Sequence, residues 1–339
     1  MNHMARVAAA LAGSGKGMLA ADESVPAMNA RLLAAGVRAT AENRRAYREM
    51  LVTTPYLAEG VSGVILCEET FRQRLADGQP FPDALADRGL LAGIKVDAGA
   101  KPLAGAPGET VTEGLDGLRG RLAGHAARGA RFATWRAVFH IDGQAPTWRA
   151  MRANAHALTR YASLCHDAGL VPLVEPEVLT DGAHGAARCS AVTGAVLFSL
   201  FAELQDFEVD LAAVVLRANM VLPGTSSGES LPPEAVAAQT VRTFGGLVPE
   251  EVAGIAFLSG GQSPGAATAN LAALRRTTTP WPLTFSFGRA LADPALAAWH
   301  GDPGRAGDGQ RALANRVACN LAALRGGYRP EDATVYALA

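Results

Sequence analysis

Lysine is nearly missing from this chain. Only Lys16, Lys95 and Lys101 occur among 31 basic residues in a sequence of 339. The bias toward arginine fits GC-rich coding and makes each remaining lysine conspicuous. Cysteine is also sparse: Cys67, Cys165, Cys189 and Cys319 lie far apart. That spacing excludes a paired metal or redox motif and leaves ordinary small core residues of a reducing compartment. Neither sign of charge is in surplus, the formal net charge being -1, so no nucleic-acid groove or anionic membrane surface is indicated. No apolar run approaches the roughly 18 residues that span a bilayer. The alanine-rich start, Val7 to Ala12, runs into Gly13-Ser14-Gly15-Lys16-Gly17 and reads as a short first helix rather than a signal peptide. The glycine stretch lacks the spacing and the Ser/Thr of an NTPase phosphate loop. The seven histidines show no ligand pattern, so no metal and no cofactor is expected. The expected location is the cytoplasm.

What is present is a repeating unit. Eight short apolar runs recur: Met18-Ala21, Gly63-Cys67, Gly93-Asp97, Phe132-Ile141, Leu170-Val178, Ala212-Met220, Gly254-Gly260 and Pro282-Arg289. Between them lie helical stretches such as Glu42 to Leu51, Gly114 to Arg128, Trp148 to Ala168 and Pro233 to Phe244. Strand, loop and crossover helix repeated eight times predict an α/β fold, a (β/α)₈ TIM barrel, as one domain over residues 1–339. A doubly wound open sheet is the alternative, but the chain has no glycine-rich dinucleotide turn.

Charged residues gather at the ends of these runs. Asp22 and Glu23 end the first, Glu68 and Glu69 follow the second, and Lys95 and Asp97 share a face of the third. Thr134 and Arg136, Glu175 and Glu177, and Arg217 and Asn219 form such pairs on the next three, because side chains two apart on a strand project together. His140 belongs to the same face as Arg136. In a barrel all these ends converge on one mouth, where a site is expected. Ser259-Gly260-Gly261 and Ser286-Phe287-Gly288-Arg289 close the last two units. Glycines there let backbone N–H groups approach an anion, and Arg289 adds a charged fork, so a phosphate site is predicted.

Colinear motifs sharpen this reading. They include Gly15-Lys16-Gly17-Met18-Leu19-Ala20-Ala21-Asp22-Glu23-Ser24, Gly93-Ile94-Lys95-Val96-Asp97 and Val174-Glu175-Pro176-Glu177. Phe257-Leu258-Ser259-Gly260-Gly261-Gln262-Ser263 and Leu283-Thr284-Phe285-Ser286-Phe287-Gly288-Arg289-Ala290 continue the series. Over nearly its whole length the chain resembles class I fructose-bisphosphate aldolase. The resemblance implies the barrel, a small phosphorylated metabolite as ligand, no cofactor, and a homo-oligomer. It implies catalytic positions at Asp22, Lys95, Arg136, Glu175 and Glu177. It also implies ligand positions at Arg31, Asn219, Ser259, Gly260, Gly261, Ser286, Gly288 and Arg289.

The family works through an imine between the substrate ketone and a lysine in a sixth-strand Leu-Lys-Pro-Asn-Met motif. Here the motif reads Leu216-Arg217-Ala218-Asn219-Met220. A guanidinium stays protonated and cannot form that imine. Other departures accompany it: Thr134 for a fourth-strand lysine, Val25-Pro26-Ala27 for Thr-Gly-Ser, and Ala30 for another lysine. The last two remove groups associated with the second phosphate of a bisphosphate. The C-terminal tyrosine has no clear counterpart, since Tyr336 is followed by Ala337-Leu338-Ala339. The expected function is carbon–carbon bond or proton-transfer chemistry on a small phosphorylated carbonyl or hydroxy compound, by acid–base and electrostatic catalysis. Arg217 would clamp a developing oxyanion, with Glu175, Asp22 or Glu68 moving protons. The alternatives are a non-catalytic phosphometabolite binder and an aldolase with Lys95 as relocated nucleophile.

Overall fold

Eight buried strand segments, none able to cover both of its own faces, close on one another in a ring. The computed structural model describes residues 3–334; Tyr336 lies outside them. The ring strands are β1 (Gly17–Ala21), β2 (Val61–Leu66), β3 (Leu91–Lys95), β6 (Ala130–Phe139), β7 (Val171–Val178), β8 (Val215–Ala218), β9 (Gly254–Phe257) and β10 (Leu283–Phe287). A separate hairpin, β4 (Ala100–Pro102) with β5 (Thr110–Thr112), lies in the connection after β3. Neighbouring ring strands run parallel, and β10 pairs with β1 to complete the closed barrel. The expected barrel is therefore the observed fold, with strand ends within three residues of those read in the sequence.

Side-chain alternation sorts the strands into two cores. Leu19, Val64, Ile94, Trp135, Val174, Leu216, Phe257 and Phe285 point outward into the shell shared with the helices. Met18, Ala20, Ile65, Phe132, Leu173, Val215 and Ala256 fill the barrel interior. The helix His3–Ala12 closes the lower mouth by adding Ala8, Leu11 and Ala12 to that interior cluster. Two glycines make room for the largest interior ring. A Cβ at Gly63 would come within 2.9 Å of Phe132, and one at Gly93 would overlap the same ring. Above this apolar plug the inward positions become polar: Thr134 and Arg136 follow Phe132 on β6, while Glu175 and Glu177 follow Leu173 on β7.

The helix Ala186–Asp206 departs from the expectation about membrane-length segments. It is long and apolar enough to cross a bilayer by length and composition, and 50% of its most apolar window is buried. Arg188 and Glu203 break up its sequence, so it does not read as an apolar run. Helical spacing nevertheless gathers Val192, Val196, Leu197 and Leu200 on the side buried against β7 and the helix Trp148–Asp167.

Candidate active site

The first strand presents its acids because a neighbouring helix holds its end. Thr40 caps the helix Ala41–Val52, its hydroxyl accepting from Asn43 N at 3.1 Å. Helical periodicity then turns Arg44, Tyr47, Arg48 and Leu51 inward. Arg48 is fully buried and donates to the Ala21 carbonyl at 3.1 Å and the Glu23 carbonyl at 2.8 Å. Arg44 takes Glu69 in a two-pronged contact at 2.8 and 2.6 Å, so Glu69 is structural. With its end fixed, β1 delivers Asp22, Glu23 and Ser24 to the upper mouth.

There a cavity of about 530 Å³ opens, lined among others by Asp22, Lys95, Arg136, Glu175, Glu177 and Arg217. Arg217 Nη1 donates to Glu175 Oε2 at 2.6 Å, with both side chains almost wholly buried. Thr134 Oγ1 donates to the same oxygen at 3.3 Å. Arg136 Nε donates to Glu177 Oε2 at 2.5 Å and lies 3.5 Å from Glu175 Oε1. Burial pushes the Glu175 carboxyl up, to about 7, against the downward pull of Arg217 and Arg136, with Glu177 and Asp22 adding repulsion. That value lies where a proton carrier is useful near neutral pH.

Lys95 is set up differently. Its Nζ lies 3.5 Å from Asp97 Oδ1, and the other Asp97 oxygen accepts from Arg136 N at 3.2 Å. Burial pulls the Lys95 pKa down, but Asp97, Asp22 and Glu175 outweigh burial and Arg136 and hold the ammonium above its ordinary value. Arg217 Nε is buried without a hydrogen-bond partner, an unspent donor on a cavity-lining residue.

Ser259, Gly260, Ser286, Gly288 and Arg289 line the same cavity. Gly260 is required by closeness, since a Cβ there would stand 2.7 Å from Glu177 Oε1. The Ser286 hydroxyl is buried and unpartnered, and Arg289 is exposed, with no carboxylate in ion-pair reach among the described residues. The helix Arg289–Trp299 begins at this point and turns its free N–H groups toward the β10 end.

Several expected residues are not where the sequence suggested. Asn219 falls beyond β8 and does not share the cavity with Arg217. Its Oδ1 accepts from Val178 N at 2.9 Å and its Nδ2 donates to Thr193 at 3.2 Å, tying strand ends to a helix. Gly261 takes a left-handed conformation (φ 70°) packed on Thr180 and is not a lining residue. Arg31 lines the cavity, but its guanidinium is already bound to Glu23, to Asp293 at 2.6 Å and to Tyr47 Oη at 3.3 Å. Glu68 opens the helix Glu68–Arg72 on the outer side, where it pairs with Arg72 and stands 3.0 Å from His125 Nε2. His140 lies past β6, exposed beside Glu109 and Pro146 in a small separate crevice. Sequence reasoning missed Arg48 and Asp293. The inward periodicity of Arg44, Tyr47 and Arg48 carries the signal for the first; nothing local marks the second.

Known proteins place the chain. The model of the family described as "Fructose-bisphosphate aldolase class-I" matches residues 3–337. The "Probable fructose-bisphosphate aldolase class 1" of Xanthomonas campestris pv. campestris is 49% identical over 303 residues, which is 89% of this chain and 91% of the relative. The "Fructose-bisphosphate aldolase 4, cytosolic" of Arabidopsis thaliana is 45% identical over 324 residues, covering 95% and 82%. A crystal structure of fructose-bisphosphate aldolase from Plasmodium falciparum, in complex with TRAP and a small-molecule inhibitor, superposes with a TM-score of 0.94 at 39% identity, covering 96% of this chain and 95% of the other. Barrel, mouth cavity and sequence agree: the chain belongs to the class I fructose-bisphosphate aldolase family.

Proposed function

We propose that this chain is a cytosolic lyase that breaks or joins a carbon–carbon bond in a small phosphorylated carbonyl compound without an imine at position 217. The observation that carries the reading is the Arg217–Glu175 contact at 2.6 Å, in which a group that cannot form an imine grips the acid–base carboxyl directly. In the cleavage direction, Glu175 as carboxylate takes the proton from the substrate hydroxyl β to the carbonyl. The carbon–carbon bond breaks, an aldehyde leaves, and the electron pair moves toward the carbonyl oxygen to give an enediolate. Arg217 and the Lys95 ammonium stabilise that oxyanion, and Glu175 returns the proton to carbon. The phosphate rests on Ser259, Gly260, Ser286, Gly288 and Arg289.

Lys95 as a relocated nucleophile fares worse, because the carboxylates around it keep the amine charged. A binder without turnover has one observation in its favour: guanidinium groups approach both Glu175 oxygens, Arg217 at 2.6 Å and Arg136 at 3.5 Å. Coupled-enzyme assays over a panel of phosphorylated ketoses decide between them. The expected result is turnover that Glu175→Gln lowers by about a hundredfold or more, the range for a lost proton carrier. Binding with no turnover of any compound would favour the non-catalytic reading.

A further inference from the structure

The two oxygens of the Glu175 carboxyl are held unequally. On β6 the inward positions run Phe132, Thr134, Arg136, and strand register sets Arg136 opposite Glu175 on β7. Thr134 therefore sits one pleat deeper, beneath the carboxyl. It is fully buried and is not among the residues that line the cavity. Its branched Cβ restricts χ1, which fixes where the hydroxyl points. That hydroxyl donates to Glu175 Oε2 at 3.3 Å, and among the described residues it has no other partner.

Oε2 also takes Arg217 Nη1 at 2.6 Å, so one oxygen accepts two donors. Oε1 accepts none among the described residues. Its neighbour Arg136 Nε stands 3.5 Å away and is committed to Glu177 at 2.5 Å. A proton arriving on Oε2 would have to displace a donor, whereas one arriving on Oε1 displaces nothing.

We propose that Thr134 is a positioning residue: with Arg217 it pins Glu175 Oε2, which leaves Oε1 as the oxygen that takes and returns the proton. In that transfer the substrate O–H bond breaks and an Oε1–H bond forms. The inference deepens the acid–base reading above and rests on it. The other charges acting on the carboxyl are Arg136 on β6, Glu177 on β7, Asp22 beyond β1 and Lys95 on β3. None of them is altered by a change at Thr134.

A donor to the carboxylate favours its charged form, so removing the hydroxyl should raise the pH at which Glu175 titrates. Infrared titration of the ligand-free full chain measures this, the Glu175 band being identified by its loss in Glu175→Gln. Thr134→Val should move the midpoint up by about half a unit or more, the scale of one lost hydrogen bond to a charged group. Thr134→Ser, which keeps the hydroxyl, should restore it. The pH profile of kcat should shift the same way in Thr134→Val, with KM changed by less than about twofold, because Thr134 does not touch the ligand. A midpoint unmoved in Thr134→Val, or moved as far in Thr134→Ser, would overturn the proposal. Failure of both variants to give a folded chain by melting curves would overturn it too, by making Thr134 a packing residue. The expected infrared shifts without turnover of any compound would leave the pinned oxygen standing while removing the lyase reading.

Discussion

Two arginines at the mouth of one cavity are treated in opposite ways. Arg289, where β10 hands over to its helix, faces solvent with no carboxylate in reach among the described residues, and the Ser286 hydroxyl nearby is also unspent. Arg31, on the helix Val25–Ala34, is held by Glu23, Asp293 and Tyr47 before any ligand arrives. The same side chain is left without a carboxylate in one place and serves as a strut in the other. A guanidinium already paired with carboxylates recruits a phosphate less strongly than a free one, so residue type alone does not assign a phosphate site.

Substitution separates the two arginines. Arg289→Ala should weaken dihydroxyacetone phosphate by about tenfold or more, as for loss of a charge-assisted contact. Arg31→Ala should change the same affinity by less than about twofold, because its charge is internally compensated. Calorimetry on the two variants, with melting curves confirming that both fold, checks the pair. A larger loss at Arg31 than at Arg289 would reverse the assignment.

The pH dependence of cleavage offers a finer contrast, between the walls and the centre that joins them. Burial raises the Glu175 carboxyl to about 7, so the carboxylate needed to take the hydroxyl proton accumulates as pH rises through that value. The rate of cleavage should therefore rise with a midpoint near 7. Arg217 pulls the carboxyl down, so Arg217→Met should move the midpoint to higher pH as well as slow the reaction. A midpoint unmoved, or moved to lower pH, would show that Arg217 does not act on Glu175.

Much of this was legible in the sequence. The barrel was, because eight apolar runs separated by helical stretches leave few ways to bury both faces of each strand. Lys95, Arg136, Glu175 and Arg217 were also legible, since period-two alternation on strands that converge forces their side chains together. Asn219 and His140 were not. Both lie one residue past a strand end, where alternation no longer governs direction, and the backbone turns them to a helix and to solvent. Glu68 failed for a related reason: the chain enters a short helix there and carries the side chain outward to Arg72. The Arg31–Asp293 contact joins residues with |i−j| of 262 and leaves no local trace. Only the packed helices reveal that Arg31 is occupied.

The chemistry proposed for this cavity proceeds without a covalent link between protein and substrate. Borohydride reduction in the presence of fructose 1-phosphate, followed by intact-protein and peptide mass spectrometry, measures it directly. The expected result is an unchanged mass, because Arg217 cannot form an imine and Lys95 is held as an ammonium among Asp97, Asp22 and Glu175. A reduced substrate adduct on Lys95 would contradict it and make this a covalent aldolase with its nucleophile moved to the third strand.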